Sequence, residues 1–315
     1  MGAIDTEAKV FLSKPDKVAD IFNYWLYGGR DVIKADKLTP LDTTEIAVPY
    51  GNDGKEPLQK FRDILKLYTA MKDERAYYLM LGVEIQAGAH YAMPVRNMLY
   101  DAMNYARQVS DIAAKHRRDK DKMTHEEFLS GLLKNDKITP IITLVVSLSA
   151  EPWDGAKSLH EMLAIDDKDL LRFVPDYKLN LLTPTQIADE DFAKFRTDFG
   201  TVMQFIKHRN DKSMDWLQGN TRFADVDWET ASLIKTVTGI DIEVKKGESV
   251  NMWPAWDNGI NQARLDGESL GMERAREQNA LTMFADNLSV DKVAQYSNLS
   301  LQAATEIGKK HGYIQ

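Results

Sequence analysis

The chain has 315 residues, 43% of them hydrophobic and 28% charged, which is enough apolar material for a large core and excludes wholesale disorder. A net charge of −8 argues against a protein that coats nucleic acid through bulk charge, although a local basic groove remains compatible with it. The absence of cysteine excludes disulfides, thiolate metal sites and cysteine nucleophiles. We expect a cytoplasmic protein with no membrane partner, since the longest apolar stretch, 138–150, is shorter than the roughly 20 residues that span a bilayer.

The first half of the chain mixes helical and strand patterns. In chain order, the patterns predict a helix at 15–30, a short strand near 45–50, strands at 58–69 and 76–85, and an amphipathic helix at 91–118. The helix at 15–30 is expected to end at Gly28 and Gly29. The two longer strands read as a hairpin whose second strand is buried on both faces.

The second half continues the alternation and then turns helical. In chain order, the patterns predict strands at 138–149 and 177–182, helical structure over 189–238, a polar linker at 241–269 and a helical tail at 270–315. In the tail, Ser289 and Ser300 suit the N-caps of two short helices joined by a turn at Asn298. We therefore predict an α/β domain over 1–240, followed by the linker and the tail.

Polar side chains at the end of the buried strand are the first candidates for chemistry. Asp63 lies on one strand of the predicted hairpin and Glu84 near the end of the other, and Gln86 shares the face of Glu84 because side chains alternate along a strand. Asp63, Glu84 and the backbone carbonyl of Ile85 are oxygen ligands of the kind that Mg²⁺ prefers. A structural alternative pairs Asp63 with Arg62 or Lys66 and makes Glu84 the cap of a strand edge, and the spacing by itself favours that alternative.

Four ordered segments resemble a known bacterial family. They are RDILKLYTAMKDERAYYLMLGVEIQ, HYAMPVRNMLYDAMNYARQV, ITPIITLVVSLSAEPWDGAKSLHEML and FVPDYKLNLL. Together they resemble the recombination-promoting nucleases, a transposase-like family within the PD-(D/E)XK nuclease superfamily, over about 20–182. The resemblance implies a mixed central sheet flanked by helices, with a site at the sheet that cleaves DNA phosphodiester bonds using Mg²⁺, for which Mn²⁺ would substitute.

The resemblance also assigns residues. It implies that Asp63 and Glu84 are the two catalytic, metal-binding acids and that Gln86 stands where the superfamily pattern has lysine. A neutral amide cannot act as a general base near pH 7, so Gln86 could only orient water or phosphate, and slow turnover is expected. Asp20 is a candidate additional acid with an equal case for a purely helical role, and Asp42 is its rival.

Further positions complete the sequence-based candidates. Asp73 and Glu74 compete for the first-acid position, but their turn context favours solvation. Helical spacing places Arg96 and Tyr100 on the outward face of the helix after the buried strand. Arg96 is a candidate phosphate contact and Tyr100 a candidate base or sugar contact, against the alternative of a solvated helix face.

Three function classes remain open, and the weakest of them is a plain scaffold with no nucleic-acid role. The first is a metal-dependent DNA endonuclease associated with recombination or mobile elements. The second is a catalytically weak DNA-binding or interaction protein that retains the nuclease fold. For the tail we favour docking or homodimerisation over sequence-specific DNA recognition, because the second short helix carries Gln302 and Glu306 where a DNA-reading helix more often has basic residues.

Overall fold

A computed structural model describes most of the chain, which folds into two compact units. The described residues are 3–41, 44–47, 58–61, 63–72, 75–165, 167–211, 216–217, 220–254, 274–286 and 288–314. The main unit comprises Met1–Gly239 and Val244–Met252, and the C-terminal unit comprises Ile240–Glu243 and Trp253–Gln315. Much of the predicted linker, 255–269, lies outside the described residues, and the linker stays a prediction.

The main unit is built from both helices and strands. Its helices are α1 (Ala3–Leu12), α2 (Pro15–Tyr27), α3 (Met93–Asp119), α4 (His125–Ser130), α5 (Lys168–Leu171), α6 (Phe199–His208) and α7 (Trp228–Thr238). Its strands are β1 (Leu38–Pro40), β2 (Thr44–Ala47), β3 (Leu58–Phe61), β4 (Ile64–Lys72), β5 (Arg75–Gln86), β6 (Ile141–Ser147) and β7 (Asn180–Leu182). Short 3₁₀ turns lie at Ala35–Lys37, His160–Met162, Pro184–Gln186, Asp189–Lys194 and Thr221–Phe223.

Five strands form a mixed sheet in the order β1-β4-β5-β6-β7. The pairs β1–β4 and β4–β5 are antiparallel, whereas β5–β6 and β6–β7 are parallel. The predicted hairpin is therefore confirmed as β4–β5, and β2 pairs with β3 in a separate antiparallel ribbon. Since α3 connects the parallel strands β5 and β6, this part of the sheet is a strand–helix–strand unit, as parallel pairing requires. The α/β class predicted from the sequence is confirmed.

Helix α3 covers one face of this sheet. Gln108 on α3 donates to Met80 Sδ on β5 at 3.8 Å, and Asp101 accepts from Thr143 on β6 at 2.7 Å. On the opposite face, the Tyr68 hydroxyl of β4 donates to the carbonyl of Val32, in the segment after α2. Residues 81–85 of the central strand β5 are buried on both faces, as its apolar sequence predicts.

Capping residues explain where the helices begin and end. Pro15 and Pro94 occupy first-turn positions of α2 and α3, where a missing N–H costs nothing. Gly28, with φ of 62°, ends α2 in the left-handed conformation, as predicted. Two expectations were incomplete: helix α1 was not predicted, and the helical pattern over 189–238 is broken into α6, α7 and 3₁₀ turns. Of the helices that the structure describes, none combines the length and apolar character needed to cross a membrane.

An ion-paired histidine ties the end of α3 to the segment after α4. His116 Nδ1 lies 2.6 Å from a carboxylate oxygen of Asp121, and its Nε2 lies 2.8 Å from one of Asp136. These hydrogen bonds raise the pKa of His116 above its usual value, and burial of the ring opposes them only in part. The backbone N–H of Leu133 also donates to Asp136, which fixes the loop to the same carboxylate.

The C-terminal unit contains helix α8 (274–285), helix α9 (Val290–Ser297) and helix α10 (Leu301–Lys310). They enclose a small apolar cluster of Ala280, Phe284, Val293, Ala294 and Ala304. Ser289 and Ser300 are the N-cap residues of α9 and α10, and Asn298 between them has φ of 54°, so the predicted pair of short helices is confirmed. The expected docking or dimerisation role of this unit stays a prediction.

The raised pKa of His116 predicts a pH-dependent contribution to stability. Replacing His116 by Gln should lower the free energy of unfolding most below about pH 6.5, the usual value for an unfolded histidine, because the ring is then charged in both states. The difference from the wild type should shrink as the pH rises through the raised pKa of the folded protein. Urea unfolding of both proteins between pH 6 and 9 measures this, with the exposed His125→Gln variant as control. A difference that grows with pH would contradict the ion-paired assignment.

Candidate functional site

The carboxylate of Glu84 is fully buried near the end of the central strand. Its exposed fraction is 0%, and β5 lies between β4 and β6 rather than at the sheet edge. The alternative that Glu84 caps a strand edge is therefore wrong. Arg96 Nη2, on the first turn of α3, lies 3.4 Å from Glu84 Oε2. A buried carboxylate requires a counter-charge of this kind because its desolvation costs several kcal/mol.

Asp63 stands at the start of β4, beside the same end of β5. The antiparallel register pairs Ile64 with Val83, so continuing it by one residue brings Asp63 opposite Glu84. Asp63 Oδ2 accepts a hydrogen bond of 2.9 Å from the backbone N–H of Ile85. The two acids that the sequence singles out therefore meet across one strand pair, with Ile85 contributing its N–H to Asp63. Participation of the Ile85 carbonyl in metal binding stays a prediction.

Arg96 interacts with both carboxylates. Burial of the guanidinium acts to lower the pKa of Arg96. The Glu84 carboxylate, the Tyr100 hydroxyl and the Asp63 carboxylate act in the opposite direction, and the pKa of Arg96 is raised overall. Its side chain is 33% exposed, so Arg96 is only partly buried although it pairs with a fully buried acid. Arg96 is thus the cation of an acidic site and not part of a solvated helix face.

Tyr100 lies one turn further along α3 and holds Arg96 in place. Arg96 Nε donates to its hydroxyl oxygen at 3.1 Å, and the guanidinium carbon lies 5.5 Å from the centre of its ring. Only 4% of Tyr100 is exposed, so the expectation that it lies on the outer face of α3 is wrong. We assign it to positioning Arg96, and its contact with nucleic acid stays an untested prediction.

Gln86 ends β5 on the same face as Glu84 and lies at the carboxyl end of the parallel strands. It pairs in register with Ser147 of β6, and its carbonyl accepts from the N–H of Leu148 at 2.8 Å. Ligands of open α/β sheets bind at this end of the strands. A cavity of about 260 Å³ opens here, lined by Gly88, Ala89, Tyr91, Ser147, Ser149, Glu151, Pro152, Trp153 and Asp154. Sequence reasoning missed this cavity, because its lining comes from segments that only the pairing of β5 with β6 brings together.

Asp20 has a structural role within α2. Its carboxylate accepts from the backbone N–H groups of Arg196 and Thr197 and from the Thr197 hydroxyl, at distances between 2.7 and 3.1 Å. Among the described residues, no group of three or more His, Asp or Glu side chains converges in an arrangement that could hold a metal ion, so Asp20 does not form a triad with Asp63 and Glu84. The remaining candidates Asp42, Arg62, Asp73 and Glu74 lie outside the described residues.

Comparison of the chain with protein-family models, with curated proteins and with solved structures found no match in any of the three. The resemblance to the recombination-promoting nucleases therefore stays an expectation, and function has to be argued from the geometry of the site.

The shared burial of Glu84 and Arg96 predicts strong energetic coupling. Replacing Arg96 by Met should lower the free energy of unfolding, because it leaves a buried carboxylate without its guanidinium. The decrease caused by Arg96→Met should be smaller by roughly 0.5–3 kcal/mol when Glu84 is already replaced by Gln. Urea unfolding of the wild type, both single variants and the double variant in EDTA measures this coupling.

The exposed pair Arg172–Asp169, whose closest atoms are 3.9 Å apart, provides the control for that cycle. Its coupling between Arg172→Met and Asp169→Asn should be about 0.5 kcal/mol or less, because solvent screens both charges. Additive effects at Arg96 and Glu84 would show that the two groups do not stabilise one another.

Proposed function

We propose that this chain is a divalent-metal-dependent endonuclease of the PD-(D/E)XK type that hydrolyses DNA phosphodiester bonds in recombination or the movement of mobile elements. The observation that carries the proposal is the convergence of Asp63, the fully buried Glu84 and Arg96 at one end of the central strand. A buried acid that requires a cation, next to a second acid and an arginine, suits the handling of a negatively charged phosphodiester.

The donor set fits a hard divalent cation. Asp63 and Glu84 already act on one positive group, the guanidinium of Arg96, and carboxylate oxygens are the ligands that Mg²⁺ and Mn²⁺ prefer. Asp63, Glu84 and the carbonyl of Ile85 would hold the ion. When bound, it would neutralise phosphodiester charge and lower the pKa of a bound water.

Side chains of the chain itself would bind and orient the substrate. Arg96, whose side chain is one-third exposed, would bind a non-bridging phosphate oxygen, as arginine does through its fork of N–H donors. Tyr100 would hold Arg96 in the orientation for this contact. The Gln86 amide would orient the attacking water or the phosphate, but it cannot take up a proton. The water's proton must then pass to solvent or substrate, which is consistent with slow turnover.

The first test is the cleavage reaction itself. The full chain should nick supercoiled plasmid in the presence of Mg²⁺ or Mn²⁺. Glu84→Gln should reduce the rate at least a hundredfold, about 2.7 kcal/mol of transition-state stabilisation, because the isosteric amide removes the charge that holds the cation. Gln86→Ala should reduce it about tenfold, since Gln86 orients but transfers no proton.

The exposed Glu126→Gln variant is the matched control and should cut at the wild-type rate. Cleavage that survives Glu84→Gln with the same metal dependence would place the active site elsewhere. Plasmid that stays intact with every divalent cation, in a folded wild-type protein, would contradict the proposal.

A second candidate function is supported by the position of Arg96. Since its guanidinium already neutralises Glu84, the chain could serve as a DNA-binding or interaction protein that retains the nuclease fold without cleaving. The two candidates differ in whether a divalent ion can take the place of the guanidinium.

This difference predicts a contrast in thermal stability. Under the nuclease proposal, Mg²⁺ should raise the melting temperature of Arg96→Gln more than that of the wild type, because the freed carboxylate of Glu84 binds the ion and a bound ligand stabilises the folded state. The double variant Arg96→Gln/Glu84→Gln should lose this gain. Equal shifts in all three proteins would favour the non-catalytic function.

A further inference from the structure

We infer that the cavity beside Gln86, lined by Tyr91 and Trp153, is a subsite for one unstacked nucleobase that carries an exocyclic amino group, such as guanine. The inference rests on the proposed function, since it identifies the part of a DNA substrate that this side of the site would hold. The cavity combines an unused hydrogen-bond donor and two carboxylates with the size and position that a single base requires.

The unused donor is the indole N–H of Trp153. Trp153 is 8% exposed and packs against Met93, Val145 and Leu181, so its ring is held rigidly. Within the part of the chain that the structure describes, its buried Nε1 has no hydrogen-bond partner. A buried N–H without a partner costs roughly 1–3 kcal/mol, and a ligand that accepts from it recovers that energy.

Gly155 lies directly beside this donor. A Cβ atom added there would lie 3.1 Å from Trp153 Nε1 and 3.6 Å from Tyr91 Cδ1. A side chain at position 155 would therefore crowd the indole N–H of Trp153 and the ring of Tyr91, two residues that line the cavity.

The polar groups of the cavity define the class of ligand. Glu151 and Asp154 offer carboxylate oxygens, and Asp154 already accepts from the Tyr91 hydroxyl at 3.1 Å. These acids disfavour a bare anion and favour a ring with N–H donors. Guanine presents an amino group together with the acceptors O6 and N7, which matches carboxylates on one side and an indole N–H on the other.

Stacking and size point to a single base. The ring of Tyr91 is 67% exposed at the cavity, and exposed aromatic side chains are the usual platforms for unstacked bases. The volume of about 260 Å³ is below the roughly 300–1,000 Å³ of pockets that enclose drug-sized ligands, so it suits one ring system.

The cavity is also in the right place for a base next to the scissile phosphate. Ser147 in its lining pairs in register with Gln86, which lies two residues beyond Glu84 on the same face of β5. Two residues along a strand span about 7 Å. A base in the cavity would thus belong to a nucleotide adjacent to the phosphodiester that Arg96 would bind beside Glu84 and Asp63.

The test is direct binding of mononucleotides to the full chain in EDTA, followed through the indole N–H signals in a ¹H–¹⁵N correlation spectrum. The Trp153 signal is assigned as the one lost in Trp153→Phe. Guanosine monophosphate should shift this signal and bind at least tenfold more tightly than thymidine monophosphate, which has no exocyclic amino group. Gly155→Ala should weaken guanosine monophosphate binding at least tenfold by placing a methyl group against Nε1.

Control variants test whether a change in binding is specific to the cavity and whether each variant is folded. Trp25→Phe, in helix α2, should leave binding unchanged, and the unfolding midpoints of Gly155→Ala and Trp153→Phe show whether each variant is folded. Tyr91→Ala changes an exposed ring outside the core and keeps the inference testable if Trp153→Phe does not fold, because loss of the stacking platform should also weaken binding. Ribose 5-phosphate should not shift the Trp153 signal.

Each outcome is decisive. Equal affinity for both nucleotides would overturn the assignment of the amino group, and binding of ribose 5-phosphate as tight as that of guanosine monophosphate would overturn the base subsite. No shift with any nucleotide would overturn it as well, whether or not the protein cuts DNA. Base binding by a protein that fails to cleave with Mg²⁺ would refute the nuclease proposal and leave the base subsite standing.

Discussion

The burial of one carboxylate determines much of how the main unit is arranged. Glu84 lies inside the sheet with none of its side chain exposed, and an ionised carboxylate in such a place needs a cation and hydrogen bonds to offset lost hydration. Arg96 supplies the cation from the first turn of α3. The helix dipole destabilises a positive charge at a helix N-terminus by roughly 0.3–1 kcal/mol. The position of Arg96 is therefore explained by Glu84 and not by the preferences of the helix, and this pair fixes α3 across the strand.

The parts of the fold that depend on local pattern were predictable from the sequence. The β4–β5 hairpin, the long helix α3, the left-handed end of α2 at Gly28 and the two capped helices around Asn298 follow from periodicity and from residues with strong conformational preferences. The meeting of Asp63 and Glu84 was also predictable, because strand alternation and a hairpin place them on one face. Helix α1 was not predicted, because a ten-residue helix is stabilised mainly by tertiary packing, here against α7 and β5, which its own sequence pattern does not reveal.

Contacts between distant parts of the chain could not be predicted from local sequence patterns. The register that pairs Gln86 with Ser147 depends on how α3 crosses between two parallel strands, and no turn fixes it locally. The cavity at the ends of these strands exists only in that register. Tyr100 shows the same limit on a smaller scale: helical spacing suggested an outer position, yet the packing of α3 against the sheet buries it beside Arg96. Amphipathic periodicity is a weak guide on a helix whose buried face is itself polar, as the buried Asn97, Asp101 and Asn104 of α3 demonstrate.

The buried acid also constrains how a nuclease built on this site would work. Arg96 cannot leave Glu84 for a DNA phosphate unless another cation compensates the carboxylate, because an uncompensated buried charge is strongly destabilising. Release of the arginine to the substrate and occupancy of the acids by a divalent ion are then thermodynamically linked, and each favours the other by the same factor. In such a nuclease the linkage would expose the cation of Arg96 only when substrate and metal bind. A chain with a net charge of −8 would then need no permanent basic surface. The exposed third of the Arg96 side chain is where that exchange would begin.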